Sequence, residues 1–556
     1  MTKMTDMLLE VKDLELGLVH DESNLIVRQA SFDLRPGEVL GLVGESGSGK
    51  TMLGRSIIGL QPGAITPRGG DIVFRGRSIL KMSARNLRRL RGSEIGMVFQ
   101  EPMTSLNPSM TIGRQLEEPL RQHTRLDTAR RRARILDIME RVGIPEPGDR
   151  LDDYPHEFSG GMRQRIMLAS AMLLKPALLI ADEPTTALDA LVQRDVLELM
   201  IELTRQEGTA LILISHDLPM IARYCERLLV MRDGEIVESG RADDLLAAPQ
   251  HDYTRRLLQA MPERGPVRSF DDSTTPVVEL RGLEVEYRSR TGFLARTSRK
   301  KALHGIDLRI RRGEVVALVG ASGSGKTTLG RAVAGLIPAS GGDILFRGLP
   351  IGKHDANWMD YRLNCQMIFQ DPFGSLDPRF TIRRLLAEAL YYQRNLDSAE
   401  RDDRIRAAVR EVGLEDAHLD RLPHELSGGQ RQRIAIARAV IGRPDFVIAD
   451  EAVSALDVTV RAQILELLSE LQRQHGFSCL FITHDLSVVE QLADRVVVMR
   501  DGAIIEEGPR DTVFDRPQSG YTRALLAAIP KLERTATGAV LNWRFGANDP
   551  LREGAQ

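Results

Sequence analysis

Cysteine is scarce: the 556 residues hold three, Cys225, Cys365 and Cys479, far apart and with no CxxC pair. That excludes a zinc ribbon and a disulfide framework, and leaves thiols packed as small hydrophobes in a reducing compartment as the expectation. An excess of charge is also missing, since Lys+Arg is 75 and Asp+Glu 77, a formal net charge of -2. Nothing would draw the whole chain to a phosphate backbone, so nucleic acid is not expected as a partner. Long apolar runs are absent too. Segments such as Val315–Val319 and Ala210–Ile214 are strand-length, far below the roughly 18 to 20 residues of a membrane-spanning helix. If the protein acts at a membrane, other chains supply the spans. The first residues run straight into Leu8–Val11 without a basic stretch and an apolar stretch, so no signal peptide is expected.

What is present suits a globular protein: 42% of residues are hydrophobic and 27% charged. The length exceeds the roughly 100 to 200 residues usual for one domain. The second half repeats the first. Lys50 pairs with Lys326 at an offset of 276, Gln100 with Gln370 at 270, and Ser159/Ser427, Asp182/Asp450 and His216/His484 all at 268. The repeat continues through Met231–Ile236 and Met499–Ile504, and through Pro249–Thr254 and Pro517–Thr522. Units this long are whole domains, not solenoid modules of about 20 to 50 residues. A first domain over 1–264, a linker over 265–277 rich in Pro, Ser, Thr and charge, a second domain over 278–534 and a polar tail over 535–556 follow. The tail holds Trp543 and Phe545, either loosely ordered or docked through those rings. Short apolar runs alternate with helix-period stretches, the pattern of a parallel α/β core.

Two glycine-rich octads carry the first chemistry. Gly44-Glu45-Ser46-Gly47-Ser48-Gly49-Lys50-Thr51 follows the strand-like Val39–Val43, and Gly320-Ala321-Ser322-Gly323-Ser324-Gly325-Lys326-Thr327 follows Val315–Val319, with Thr328 next. Each reads as a phosphate loop between a strand and a helix. Its backbone N–H groups would turn onto a β-phosphate at a helix N-terminus. Lys50 and Lys326 would reach the β- and γ-phosphates, and the Thr51 and Thr327 hydroxyls would ligate Mg²⁺. Apolar strands also end in Asp182-Glu183 and Asp450-Glu451, at the sheet edge where open α/β folds bind ligands. Alternation along the strand would send Asp182 and Asp450 to the metal and Glu183 and Glu451 to the attacking water.

Phe158–Arg165, with Ser159-Gly160-Gly161, and Leu426–Arg433, with Ser427-Gly428-Gly429, resemble the signature sequence of ATP-binding cassette proteins, and the resemblance spans nearly the whole chain. It implies an α/β fold of two tandem P-loop cassette domains. Each would hold a RecA-like α/β core, a helical signature subdomain and an N-terminal antiparallel β part. By the same resemblance Gln100 and Gln370 match the Q-loop that contacts Mg²⁺ or its water. Ala187-Leu188-Asp189 and Ala455-Leu456-Asp457 match the D-loop, and His216 and His484 the switch histidine that contacts the γ-phosphate. Each signature would complete the ATP site of the other cassette, an intramolecular pairing of the Lys50 loop with Ser427 and of the Lys326 loop with Ser159. Tyr287 matches the aromatic that stacks on adenine, whereas Leu9–Ser31 holds no Phe, Tyr or Trp. Ala452 stands where Pro184 follows the other glutamate.

The endings Pro249–Leu258 and Pro517–Leu526, and the blocks Glu101–Pro108 and Asp371–Pro378, are similar to those of oligopeptide, dipeptide, glutathione and nickel importer ATPases. The resemblance implies an ATPase at the cytoplasmic face of the inner membrane. It would bind two transmembrane permease subunits peripherally and, through them, an extracytoplasmic solute-binding protein. Its solute would be a dipeptide, oligopeptide or glutathione-like peptide, with nickel or another small solute as the alternative. ATP and Mg²⁺ are the implied ligands. The cysteine-rich segment that some relatives carry is missing, so no iron–sulfur cluster is expected. A ribosome-associated cassette protein would have a long charged linker, and a DNA-repair cassette ATPase inserted zinc modules; neither feature is here.

Overall fold

The structure is a computed structural model that describes residues 7–542, apart from 100–104, 186–187, 262, 267, 269, 272, 291–296, 353–356, 394–395, 455 and 536. Gln100, Ala187, Ala455, Trp543 and Phe545 therefore lie outside the described residues, as does most of the tail.

The first unit opens with strands β1 (Leu9–Leu18) and β2 (Asp21–Leu34), then β3 (Val39–Val43), β4 (Ile65–Phe74), β5 (Arg77–Ser78) and β6 (Ile95–Val98). After the helical segment come β7 (Leu178–Asp182), β8 (Ala210–Ser215), β9 (Arg227–Arg232) and β10 (Glu235–Arg241). Two sheets result, one in the order β2-β1-β4-β5 and one in the order β10-β9-β3-β8-β7-β6. The first pairs antiparallel throughout. In the second, β6, β7, β8, β3 and β9 run parallel, and β10 adds an antiparallel edge. Every residue of β7 and β8 is buried, as expected of parallel strands covered on both faces. Leu9, Leu16, Leu34 and Phe74 from the first sheet share one core with Leu40 and Ile180 from the second and with Leu53. Each such side chain contributes about 1.5–3 kcal/mol by leaving water.

The second unit repeats this. Its strands are β11 (Val278–Arg290), β12 (Thr297–Ile310), β13 (Val315–Val319), β14 (Gly341–Phe346), β15 (Leu349–Pro350), β16 (Cys365–Ile368), β17 (Phe446–Asp450), β18 (Ser478–Ile482), β19 (Arg495–Arg500) and β20 (Ala503–Pro509). They form sheets β12-β11-β14-β15 and β16-β17-β18-β13-β19-β20. One of its cores joins helical residues such as Leu385, Ile405, Val409, Ile434 and Leu465 to strand residues such as Val447 and Phe481. All three cysteines are buried and free, and burial alone pushes the Cys479 thiol up to about 12.

Contacts divide the chain at places other than 264/265 and 534/535. One unit takes Met261–Ala527, and residues from Ala528 onward group with Met1–Ala260. Ion pairs account for the first difference. Arg264 bridges Glu490 (2.9 Å) and Asp515 (2.8 Å), and Arg268 holds the buried Asp494 (2.7 Å). Arg264 and Arg268 thus tie their part of the chain to the second unit. A hairpin accounts for the second, with β21 (Lys531–Arg534) paired to β22 (Ala539–Asn542). Thr537 Oγ1 donates to the Ala247 carbonyl (3.0 Å), Arg534 donates to the Gln259 carbonyl, and Ala539 is buried.

Candidate functional site

The carboxyl ends of β3, β7 and β8 meet in register, with Val43 opposite Ser215 and Asp182 opposite Ile214. The octad after β3 becomes a loop whose glycines Gly47 (φ 81°) and Gly49 (φ 99°) take the left-handed conformation, and helix Lys50–Ile57 starts directly after it. A Cβ at Gly44 would overlap the Met231 carbonyl. Lys50 is buried, and its ammonium donates to the carbonyls of Gly44 (2.8 Å) and Glu45 (2.7 Å) and to Ser48 Oγ (3.3 Å). Ser46 and Gly47 face solvent. The second loop matches it: Gly323 and Gly325 have φ of 79° and 104°, and Lys326 donates to Gly320 (2.8 Å) and Ala321 (2.9 Å). Ser322 is exposed and Ser324 buried.

Next to each loop sits a hard-oxygen donor set. Thr51 Oγ1 donates to Asp182 Oδ1 (3.0 Å), and Thr327 Oγ1 to Asp450 Oδ1 (3.3 Å). Burial raises both aspartates above the usual carboxylate range, helped by the neighbouring Glu183 and Glu451 charges. Asp182 Oδ2 is buried with no hydrogen-bond partner among the described residues. A buried lone carboxylate oxygen beside a threonine hydroxyl fits an Mg²⁺ ion, which takes oxygen ligands.

Strands β7 and β17 stop at the aspartates, and Glu183 (φ 46°) and Glu451 (φ 48°) enter the left-handed region. Such a conformation costs a non-glycine residue on the order of 1–3 kcal/mol. It recurs in both halves, and this turn, not strand alternation, aims the glutamates. His216 Nδ1 lies 3.1 Å from Glu183 Oε1, and His484 Nδ1 3.2 Å from Glu451 Oε1. An ionised carboxylate only accepts, so Nδ1 carries the proton and Nε2 is the ring's other face. Gln370 Nε2 donates to Glu451 Oε2 (2.8 Å). Burial works to raise the Glu451 carboxyl, but the His484 hydrogen bond and the His484 and Lys326 charges outweigh it, leaving the group below its ordinary value.

The other expected residues sit as follows. Tyr287 is half exposed, its hydroxyl 3.3 Å from Thr328 Oγ1 beside the second loop. Ser159 caps helix Gly160–Met172 by accepting from the Met162 N–H (3.3 Å), and Ser427 caps Gly428–Val440 by accepting from Gln430 (3.2 Å). Gly428 meets nothing within 4 Å, whereas a Cβ at Gly161 would lie 2.5 Å from Val192 Cγ1 and one at Gly429 2.8 Å from Val460 Cγ1. Asp189 and Asp457 cap the following long helices, accepting from the Val192 (3.2 Å) and Val460 (3.0 Å) N–H groups. The D-loop aspartates thus fix the valines that the signature glycines pack on. The sequence reading missed Met231 and Met499, whose carbonyls abut Gly44 and Gly320; their recurrence at offset 268 was the available signal.

The family model described as ABC transporter matches residues 27–186 and 303–454, more than half of the chain. The chain belongs to the ATP-binding cassette transporter family. It is an ATPase with two cassettes. The model for the oligopeptide/dipeptide transporter C-terminal region matches 237–280 and 505–543, once per half. A peptidoglycan transport ATP-binding protein of Agrobacterium fabrum is 47% identical over 96% of this chain and 99% of its own. A glutathione import ATP-binding protein of Pectobacterium atrosepticum is 43% identical over 91% of this chain and 86% of its own. A solved cassette dimer described as a post-hydrolysis state bound to ADP and Pi is 27% identical, covering 42% of this chain and 98% of that one at a TM-score of 0.38. No described helix is long and apolar enough to cross a membrane.

Proposed function

We propose that the two cassettes hydrolyse ATP to drive uptake of peptides, of the dipeptide, oligopeptide or glutathione class, through two separate membrane permeases at the cytoplasmic face of the inner membrane. The observation that carries this reading is the oligopeptide/dipeptide C-terminal region in each half, downstream of a complete loop, aspartate, glutamate and histidine set. In each site the loop amides and Lys50 or Lys326 hold the phosphates. Thr51 with Asp182, and Thr327 with Asp450, would hold Mg²⁺. Bound there, the ion would screen the phosphate charge.

Glu183 and Glu451 orient and polarise the attacking water. Its oxygen bonds to the γ-phosphorus as the bond to the β–γ bridging oxygen breaks, giving ADP and phosphate. The proton of that water passes to the glutamate or to the departing phosphate. His216 and His484 fix the glutamates through Nδ1 and present Nε2 toward the γ-phosphate. Gln370 couples Glu451 to the Q-loop, and Gln100 is assigned the same role. The signature of each cassette closes over the nucleotide of the other, so binding of two ATP molecules pairs the cassettes and hydrolysis releases them. Tyr287 supplies the adenine platform of the second cassette.

Affinity purification of the chain from membranes tests the reading. Two permeases are expected to co-purify, and ATPase activity in vesicles is expected to rise with peptide-loaded binding protein. Stimulation by a nickel-loaded binding protein alone would assign the other solute class. Recovery with ribosomes and no permease would overturn the importer reading.

A further inference from the structure

Against each phosphate loop stands a tyrosine from the C-terminal element. Tyr253 opens helix Asp252–Gln259, is buried, and accepts a hydrogen bond on its hydroxyl from the Glu45 N–H (3.0 Å). In the second cassette the Tyr521 hydroxyl accepts from the Ala321 N–H (2.8 Å). The bonded amide is in both cases that of the second loop residue, although its side chain differs, Glu in one cassette and Ala in the other.

The tyrosines are themselves held by a repeated device. Glu238 accepts from the Gln250 (2.7 Å) and His251 (3.2 Å) N–H groups, and Glu506 accepts from Gln518 (2.7 Å) and Ser519 (3.0 Å). One carboxylate thus grips two successive amides just before each helix. The Arg232 guanidinium lies 5.2 Å from the Tyr253 ring centroid and that of Arg500 5.1 Å from Tyr521, a cation–π spacing. Each arginine directly follows the methionine whose carbonyl abuts the first loop glycine. The first two residues of each loop therefore rest on one platform, a strand-end carbonyl and a tyrosine hydroxyl. Burial pushes the Tyr253 hydroxyl up to about 12, so it stays a neutral phenol throughout the physiological range.

We propose that Tyr253 and Tyr521 are positioning residues that set the phosphate loops, so that the C-terminal element of each cassette is a working part of its own nucleotide site. Two constraints meet in the loop: its amides must converge on phosphate, while the amide of its second residue is bonded to another partner. The tyrosine satisfies it from outside the octad. Removing the hydroxyl leaves a part-buried N–H without that acceptor, and the loop would turn it elsewhere at the expense of phosphate geometry. The inference rests on the ATPase activity and not on the identity of the solute.

The test uses the full chain with both hydroxyls deleted, Tyr253→Phe with Tyr521→Phe, which keeps the rings, their packing and the arginine contacts. The KM for MgATP is expected to rise roughly three- to ten-fold, the range set by one neutral hydrogen bond, with kcat within two-fold. An unchanged KM overturns the proposal, and so does a loss confined to kcat. Amide hydrogen exchange gives the second readout, one that a purely structural role would not produce. Faster exchange over 44–51 and 320–327 with unchanged protection in β7 and β17 supports it; equal acceleration everywhere, the mark of lost global stability, overturns it.

Discussion

Glu451 and Asp450 are neighbours whose environments drive their carboxyls in opposite directions. Glu451 is held below its ordinary value. Its stabilising contribution is present above the unfolded-state value and is lost only as pH falls through the lower folded one. A base of this kind stays ionised on acidification, so the acid limb of ATPase activity carried by the second cassette should fall below the ordinary glutamate range. A pH–rate profile on Glu183→Gln, in which the second site carries the turnover, measures it. Glu183→Gln and Glu451→Gln should each remove turnover at one site, by on the order of 10²- to 10⁴-fold, and leave the other. Full activity in either single variant would contradict two competent sites. Asp182 is the reverse case, raised by burial and with one oxygen lacking a partner. Its charged form is disfavoured in the fold, and acidification through the raised value relieves that penalty. Asp182→Asn should therefore raise Tm in nucleotide-free protein while increasing the Mg²⁺ needed for half-maximal activity by more than about tenfold. The two aspartate–glutamate pairs were legible as strand-end carboxylates. The left-handed turn that aims the glutamates was not, because no residue type announces it at a non-glycine position.

Helices that open at the signature motifs are placed by contacts a sequence cannot display. Ser-Gly-Gly reads as a helix start, and the caps at Ser159 and Ser427 agree with that reading. Why the second glycine is needed emerges only from the long helix packed against it, since a Cβ at Gly161 would meet Val192. Gly161→Ala should destabilise the first cassette by about 1–3 kcal/mol, measured by denaturant unfolding. Val192→Ala, which removes the opposing methyls, should recover most of that loss in the double variant. Additive losses would instead place the strain elsewhere. The strands flanking each phosphate loop were legible for a simpler reason, since unbroken five-residue apolar runs leave little choice in a covered parallel sheet. The hairpin of β21 and β22 was hidden because each strand is only four residues long, too short to show a period. The ion pairs of Arg264 and Arg268 with the second unit were hidden because their carboxylates lie more than 200 residues away in sequence.

At the scale of the whole chain the duplication was plain from an offset that settles at 268 from the signature motifs onward, and it delivers two loops, two strand-end carboxylate pairs, two histidines and two signatures. Two copies alone do not say which loop works with which signature. Within each cassette Ser159 and Ser427 are exposed and cap their own helices, and a helix N-terminus favours an anion. If each end serves the loop of the other cassette, damage to a loop and to a signature combines in a way that reports the pairing. Lys50→Ala with Ser427→Arg strikes a single composite site twice. Lys50→Ala with Ser159→Arg strikes both sites once. The first pair should cost no more than Lys50→Ala alone and leave about one tightly held nucleotide per chain, whereas the second should abolish turnover and hold none. Coupling of that kind is the signature of residues acting as one unit. Steady-state ATPase rates and bound-nucleotide stoichiometry measure it. The opposite ranking of the two double variants would mean that each cassette hydrolyses ATP with its own signature, and the two-site engine would have to be redrawn as two independent ones.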